Sequence, residues 1–566
     1  MIFMDFEVFK HDWLVVFANT ETKMFSTIAN DRAGLTAFYN THSDDIFVGY
    51  NIRKYDQFIF KGILAGLNPK EINDHIIVKG LSGYTYSSLM NNFPLIFYDA
   101  MVKPISLKTL EGFMGINIKE TDVDFKLDRK LTAKELKLTE EYCRADVEAL
   151  MEVFLMQKQE FESHLSLIHT FKLPLISMGK TKAQLSAEIL GCERLDNPEK
   201  DEWDISIIDT LKIKKYQYVI DWFLNNKDYS KKLETMVAGV PHVFAWGGLH
   251  GAKEKYHGTG LILHVDVNSF YPAIMIEYGL LSRSVKNPEK YREIRDKRLI
   301  YKRSKNPLQQ PYKIVLNSTF GICKDKYSKA YDPRRATEIC VNGQLLLLDL
   351  IEHLEAVEGF ELIQSNTDGL IIKIPDTDKA FDDVDDICYE WEKRTRMGLG
   401  VDYIQEIWQK DVNNYVFRDD DGKLERKGAY VKENNPLDND LPIINTALVR
   451  FFTAGVPVAK TINDCTELVQ FQKLFKVTSK YICAFHNAEK VDGKSFRVFA
   501  STHYCDTALF KMKLKPSGVV PEKFANCPEH CFIHNESLEG VSIDDVPLDK
   551  DWYIKLAEKR LQDYGY

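Results

Sequence analysis

The chain has 566 residues, of which 45% are apolar and 28% charged, with a formal net charge of −9. That length exceeds what one hydrophobic core supports, so several domains are expected. The composition excludes a disordered or fibrous chain, and the acidic balance excludes a protein that coats nucleic acid by overall charge. Ten cysteines without CxxC spacing point to a reduced, intracellular protein rather than a disulfide framework. No apolar run approaches the ~18 residues of a membrane span. The opening MIFMDFEVF reads as a strand, not a signal peptide.

Residues 1–165 read as an α/β domain. The strands IFMDFEV, WLVVFA, IFVGYN and PLIFYDA alternate with the helical stretches ISLKTLEGFMG and LTAKELKLTEEYCRADVEALMEVFLM. Thr132 and Glu135 have the spacing of a capping box. Residues 166–240 read as a connecting region, polar and turn-rich near 193–204, followed by the paired glycines of HVFAWGGLHGA. Next come the strand LILHVDVNSF, then YPAIMIEY, then helices over 288–303, 307–321 and 336–357. Between Lys286 and Arg335, 15 Lys/Arg stand against 5 Asp/Glu, a surface suited to phosphates although also compatible with a solvated helix face. FELIQS-NTDG-LIIKI predicts a hairpin, and a second is expected around RDDDGK, ending in KGAYVK. After about residue 436 the signals weaken, and no repeats or low-complexity tracts are found.

Two sets of carboxylates carry chemistry. Asp5 and Glu7 are two apart on a strand and share a face; charges there are costly unless they meet something positive. Asp56 closes NIRKYD, and Asp146 lies in YCRAD on a helix. Phosphodiester hydrolysis at two metal ions needs several carboxylates around one point, and hard oxygen ligands select Mg²⁺ or Mn²⁺. The second set is Asp266, at the end of an apolar strand, and Asp368, in a hairpin turn. Such a pair suits nucleotidyl transfer at two ions, with positive charge supplied by KIVLNSTFG, where Lys313, Asn317 and Phe320 recur on one helix face.

Asp5-Phe6-Glu7, Asn51-x-x-x-Tyr55-Asp56 and Tyr142-x-x-x-Asp146, in that order, resemble the three exonuclease motifs of the DEDD superfamily, tyrosine type. Asp266–Pro272 resembles DxxSLYP, Lys313–Gly321 resembles KxxxNSxYG and Asn366–Gly369 resembles DTDS, the polymerase motifs of family B DNA polymerases. The resemblance implies an RNase H-like 3′→5′ exonuclease domain (1–165), a connecting region (166–240), and then a right-hand polymerase. Its parts would be palm (241–275 and 336–435), fingers (276–335), and thumb with C-terminal region (436–566). It implies Asp5, Glu7, Asp56 and Asp146 as ligands of one ion pair, Tyr142 as the group orienting water, and Asp266 and Asp368 as ligands of the other. It implies contacts of Asn51, Tyr55 and Phe58 with single-stranded DNA, and of Lys119, or its rival Lys126, with the scissile phosphate. For the nucleotide it implies the backbone of Val267, Tyr271 under the sugar, Lys313 with Arg295 on the triphosphate (Arg292 and Arg298 being rivals), and Asn317 with Phe320 at the base pair. KGAY resembles the KxY motif, giving Lys427 and Tyr430 on the primer.

The sequence departs from the pattern at Asn366 and Gly369 of DTDS, at Phe320, in the spacing of KGAY, and in AWGG where the family has YxGG. Asn366→Asp is therefore expected to keep or raise activity. The chain opens directly on the exonuclease strand, and the gaps from Pro272 to Lys313 and from Gly321 to Asp368 span only 41 and 47 positions. Both features are similar to the small phage type without protein-priming insertions. Expected partners are primer–template DNA, single-stranded DNA, dNTPs and phage replication proteins. A monomer in the cytoplasm of a bacterial host is implied, with no membrane association. CPEHCFIH brings Cys527, His530, Cys531 and His534 together in sequence, but the spacing matches no strong finger pattern and zinc is not expected. Two rival readings are a nuclease whose polymerase half has decayed, supported by Asn366, and a non-enzymatic replication factor.

Overall fold

Ile2, Met4, Phe6 and Val8 alternate with Phe3, Asp5 and Glu7, which gives the strand Ile2–Val8 (β1) two chemically different faces. The first set joins a core with Phe17, Phe47, Ile59 and Phe60. The computed structural model describes residues 1–118, 120–516 and 518–566. The chain divides into two compact units. The first comprises Met1–Gly179, Asn434–Ile443 and Ile462–Ile554; the second comprises Lys180–Glu433, Ile444–Thr461 and Lys555–Tyr566.

In the first unit, β1 pairs antiparallel with β2 (Trp13–Asn19), which pairs antiparallel with β3 (Met24–Ala29). On its other side β1 runs parallel to β4 (Phe47–Gly49), and β4 parallel to β5 (Phe97–Asp99). The resulting sheet has the order β3-β2-β1-β4-β5. β3 and the helix Arg32–Thr41 have no counterpart among the sequence expectations. Helix Ala133–Met156 starts where expected, with both capping-box bonds present between Thr132 and Glu135. Its Phe154 meets Phe3 edge-on at 5.2 Å, so the helix packs against the β1 face that carries Asp5 and Glu7.

Residues 436–566, expected as one thumb-containing region, are divided between the units. Phe475, Phe496, Val498, Leu509 and Phe524 form their own core within the first unit. Arg497, fully buried, ties that core to the helix Leu107–Met114 by donating to the carbonyls of Gly112 at 3.1 Å and Ile116 at 2.8 Å. The connecting region 166–240 is likewise split, because the division falls at Gly179.

The second unit is built on a nine-stranded antiparallel sheet. Its strands are β6 (Leu233–Val237), β7 (Val240–Phe244), β8 (His250–Ala252), β9 (Tyr256–Val267), β10 (Glu361–Asn366), β11 (Gly369–Lys373), β12 (Leu399–Asp411), β13 (Asn414–Asp419) and β14 (Leu424–Lys427). They stand in the order β14-β13-β12-β9-β11-β10-β8-β7-β6. Both expected hairpins form, β10–β11 and β13–β14. The basic helix Pro288–Arg303 packs on helix Gln309–Lys324, and the fully buried Tyr291 joins them by donating to the Leu316 carbonyl at 3.1 Å. The long helix expected at 336–357 spans Pro333–Leu354 instead; it begins earlier because Asp332 caps it and Pro333 opens it. Among the described residues no helix is long and apolar enough to cross a membrane.

Candidate functional sites

In the first unit, the helix Ala133–Met156 presents Tyr142, Cys143 and Asp146 to the β1 face bearing Asp5 and Glu7. Asp56 joins them from the start of helix Asp56–Leu64. The loop before it is fixed by Asp99 of β5, which accepts the Asn51 and Met101 amides at 2.9 and 3.0 Å and the Arg53 amide at 3.2 Å. Asn51 takes φ +63° there, a conformation that asparagine tolerates better than most residues. Glu7, Asp56 and Asp146 are 7%, 3% and 8% exposed.

Burial pushes all four carboxyls up. Mutual repulsion adds to it at Asp5 and Glu7, where the nearby Lys108 opposes the rise. Asp56 is raised to about 7 by burial, with Asp99 adding to it and backbone hydrogen bonds opposing it. Asp146 is raised by burial against the pull of Lys108. A group of desolvated carboxylates with, among the described residues, one ammonium fits divalent cations.

That ammonium belongs to Lys108, which no sequence motif singled out. It bonds Asp146, pairs with Glu111 at 3.1 Å and stands 4.8 Å over the Tyr142 ring. Lys119, expected near the scissile phosphate, lies outside the described residues. Its rival Lys126 is exposed in the loop, where its backbone amide bonds Asp124. Phe58 corrects an expectation: it is 3% exposed, lies under Gly83 and meets the Tyr84 ring edge-on at 4.7 Å, so it has no free face for a base. Tyr55 is half-buried, and its hydroxyl donates to Asn73 at 2.8 Å.

These shifts predict a pH-dependent metal effect. A carboxyl whose folded pKa exceeds its unfolded value binds protons on folding, so its contribution to stability is present at low pH and lost as pH rises. For Asp56 the window runs from the ordinary 3.8 to about 7. In a chelator, the first unit should melt at a lower temperature at pH 7.5 than at pH 5.5. Mg²⁺ or Mn²⁺ should restore the melting temperature at the higher pH and change it little at the lower. Equal stabilisation at both would detach the effect from these carboxyls.

In the second unit, Asp266 is the penultimate residue of β9 and pairs with Gly369 of β11. Asp368 lies in the β10–β11 turn, where Thr367 takes φ +59°. A Cβ on Gly369 would stand 3.2 Å from Asp266 Oδ1 and 3.1 Å from the Val265 carbonyl, so the serine of the family pattern would crowd this point. Burial first, then the charges of Asp368, Asp402 and Glu425, raise Asp266 to about 6, with Lys302 opposing. Asp402, opposite His264 on β12, is a further acidic neighbour that no motif marked.

Both aspartates open on a cavity of about 440 Å³ lined by Tyr271, Lys313, Asn317, Phe320 and Arg298. Ser269, at φ +52°, turns the chain sharply from β9 into helix Phe270–Glu277. That turn carries Tyr271 to 4.4 Å from the Phe320 ring. Arg295 does not line this cavity; it pairs with Glu277 at 3.0 Å and Asp296 at 3.1 Å. Its rival Arg298 takes the place, donating to Ser269 Oγ at 2.7 Å with a buried Nε left without a partner. Val267 also corrects an expectation, because its amide donates to the Asp368 carbonyl at 2.8 Å and is not free for a phosphate. Lys427, at the end of β14, is near enough to Asp368 to favour its charged form. Tyr430 lies under the Arg560 guanidinium at 4.2 Å.

Asn366 turns away from the aspartates. Its amide donates to the Val412 carbonyl at 3.2 Å, and its side chain also bonds His250. The expectation for Asn366→Asp therefore changes: a carboxylate would face the Val412 carbonyl without a donor. A loss of about 1 kcal/mol is predicted, read as a lower melting temperature with little change in the specific rate of the folded fraction. An unchanged melting temperature with a large change in rate would mean that residue 366 acts on the aspartates directly.

No family model matches the sequence, and no curated protein matches it. Among solved structures, the fold is similar to that of the family B DNA polymerase from the hyperthermophilic archaeon Pyrobaculum calidifontis. The identity is 13% and the TM-score 0.40, over 98% of this chain and 76% of that one.

Proposed function

We propose that the chain is a DNA-directed DNA polymerase of the family B type with a 3′→5′ proofreading exonuclease. The observation that carries this reading is the cavity in which Asp266, Tyr271, Lys313, Asn317, Phe320 and Asp368 meet from three separate stretches of sequence. A cavity lined by two carboxylates together with Lys313 and Arg298 suits a nucleoside triphosphate beside a primer end. Arg298 and Lys313 would hold the phosphates, while Asn317 and Phe320 would line the base pair. Tyr271, tilted against the Phe320 ring, would present its own ring to the sugar and leave no space for a 2′-hydroxyl.

Asp266 and Asp368 would hold Mg²⁺ or Mn²⁺ here, and Asp5, Glu7, Asp56 and Asp146 would hold it in the first unit. When bound, such ions supply the positive charge that activates an attacking oxygen and neutralises the phosphate. In the first unit, Tyr142 bonds Asp146 and would orient water, while Lys108 would offset negative charge at the scissile phosphate. Asn51 and Tyr55 would receive the frayed 3′ end.

The intervals between the polymerase motifs support the small phage type extending ordinary primers. Helices Phe270–Glu277 and Pro288–Arg303 occupy the first interval, and helix Pro333–Leu354 with β10 occupies the second. The primary test uses a 5′-labelled primer on a template with Mg²⁺. Extension is expected with all four dNTPs, and stepwise 3′ shortening without them. Neither product appearing from folded protein would overturn the proposal.

A further inference from the structure

Glu111 is a buried acid to which the exonuclease reading gives no task. It lies in the helix Leu107–Met114 and is 2% exposed. One carboxylate oxygen accepts from Lys108, three residues before it, at 3.1 Å. The other, Oε2, is buried and, among the described residues, has no hydrogen-bond partner. Lys108 also bonds Asp146, so one ammonium stands between two carboxylates. Glu111 and Asp146 are near enough for their charges to interact: burial pushes the Glu111 carboxyl up to about 7, Lys108 opposes the rise and Asp146 adds to it. The plain alternative is a helix ion pair at i,i+3. Such pairs suit solvated faces, whereas this one is buried, and burying a carboxylate with one oxygen unused costs stability. A neutral side chain would pack here without that cost, so packing does not account for the acid.

We propose that Glu111 is a positioning residue of the first unit's site: it keeps hold of the Lys108 ammonium when a divalent cation takes Asp146. The inference rests on the exonuclease reading, in which Asp146 is a ligand. An ammonium has three N–H donors. Released from Asp146, Lys108 can turn a second donor onto the idle Glu111 Oε2 and remain paired. Without Glu111 it would be stranded, because its side chain is only 13% exposed and an unpaired buried charge is costly. The cation would then have to break a Lys108–Asp146 pair that nothing replaces. Held on Glu111, the ammonium stays beside Tyr142, over whose ring it stands at 4.8 Å, and so at the edge of the site where the scissile phosphate is expected. Glu111 acts through Lys108 and touches neither cation nor substrate.

The test measures Mn²⁺ affinity directly, from the electron paramagnetic resonance of the free ion, at a pH above 8. The full chain carries Asp368→Asn throughout to weaken the site of the second unit, and Asp5→Ala with Glu7→Ala identifies the first unit's share. Glu111→Gln keeps the shape and removes the charge; it should weaken that share about tenfold, the scale of a lost partner of a metal ligand. In a Lys108→Met background the same change should matter less than about twofold, since no ammonium needs a second seat. Excision of single-stranded DNA by Glu111→Gln should need correspondingly more Mg²⁺. Melting curves establish that each variant is folded. If Glu111→Gln is not, Lys108→Met alone decides: it should bind Mn²⁺ more tightly than the parent chain, and weaker binding would overturn the proposal. Equal affinity in folded Glu111→Gln and its parent would overturn it too. So would the same loss with and without Lys108, which would mark a direct charge effect. Mn²⁺ binding that ignores Asp5 and Glu7 would instead sink the metal-site reading, and this inference with it.

Discussion

Asp368→Ala should abolish primer extension, by more than the 10–100-fold that loss of a group supporting a metal ligand costs, while 3′ shortening of single-stranded DNA stays near the wild-type rate. The turn should survive the change. The contacts that hold it are made by backbone: the Val267 amide on the Asp368 carbonyl at 2.8 Å, and the Asp368 amide on the Asn366 carbonyl at 2.7 Å. The side chain is exposed at the cavity rim, so its removal opens no hole in the core. Removing it also relieves Asp266 of its nearest acidic neighbour and should bring that carboxyl down from about 6. Asp368→Asn keeps the shape and loses the charge, and it should be equally inactive in extension. The measurement is single-turnover extension alongside degradation of a labelled single strand. Loss of both activities in a folded variant would mean that the two carboxylate sets do not serve two reactions.

What the sequence made legible is what local chemistry dictates. Period-two alternation gave β1 and put Asp5 and Glu7 on one face. Thr132 and Glu135 announced a helix start, and NTDG announced the turn that holds Asp368. These signals need only neighbours a few residues apart. What stayed hidden depends on distance in the chain. Lys108 becomes part of the carboxylate cluster only because its helix comes to lie 38 positions upstream against Asp146. Arg298 and Arg295 are one helical turn apart, and spacing cannot tell which one faces the cavity until Glu277 claims Arg295. Asp402 acquires meaning only through its register with His264. Phe58 misled for the opposite reason: an aromatic beside a motif suggested stacking, but Gly83 lets the chain close directly over its ring. β3 and the strands Lys473–Lys476 and Phe510–Lys515 escaped because they are short and partly exposed, which blurs the alternation that reveals a strand, and Ser495–Ala500 because it is buried on both faces. Asn366 looked like a weakened catalytic position and is instead tied to Val412.

Asp5→Ala combined with Glu7→Ala should have the opposite effect on activity from Asp368→Ala: excision stops and synthesis continues. Asp5 and Glu7 project from one strand face toward the same point as Asp56 and Asp146. Without them, only two of the four proposed ligands would remain to hold a cation, one of them already bonded to Lys108. The same change predicts a stability effect that a merely disruptive mutation would not give. In a chelator at pH 7.5, wild type keeps several buried carboxyls whose charged forms are disfavoured by burial and by one another. Deleting two of them removes that repulsion, and the alanines leave β1 packed through Ile2, Met4, Phe6 and Val8. The double variant should therefore melt no lower than wild type in chelator. A gain of about 1 kcal/mol would appear as roughly 2–4 °C for a unit of this size. In Mg²⁺ the order should reverse, because only wild type gains the cation's stabilisation. A mismatched primer end supplies the activity measurement: wild type should trim it before extending, and the double variant should leave it in place or extend it directly. Trimming at the wild-type rate, or a variant less stable than wild type in chelator, would show that Asp5 and Glu7 serve the fold rather than the chemistry.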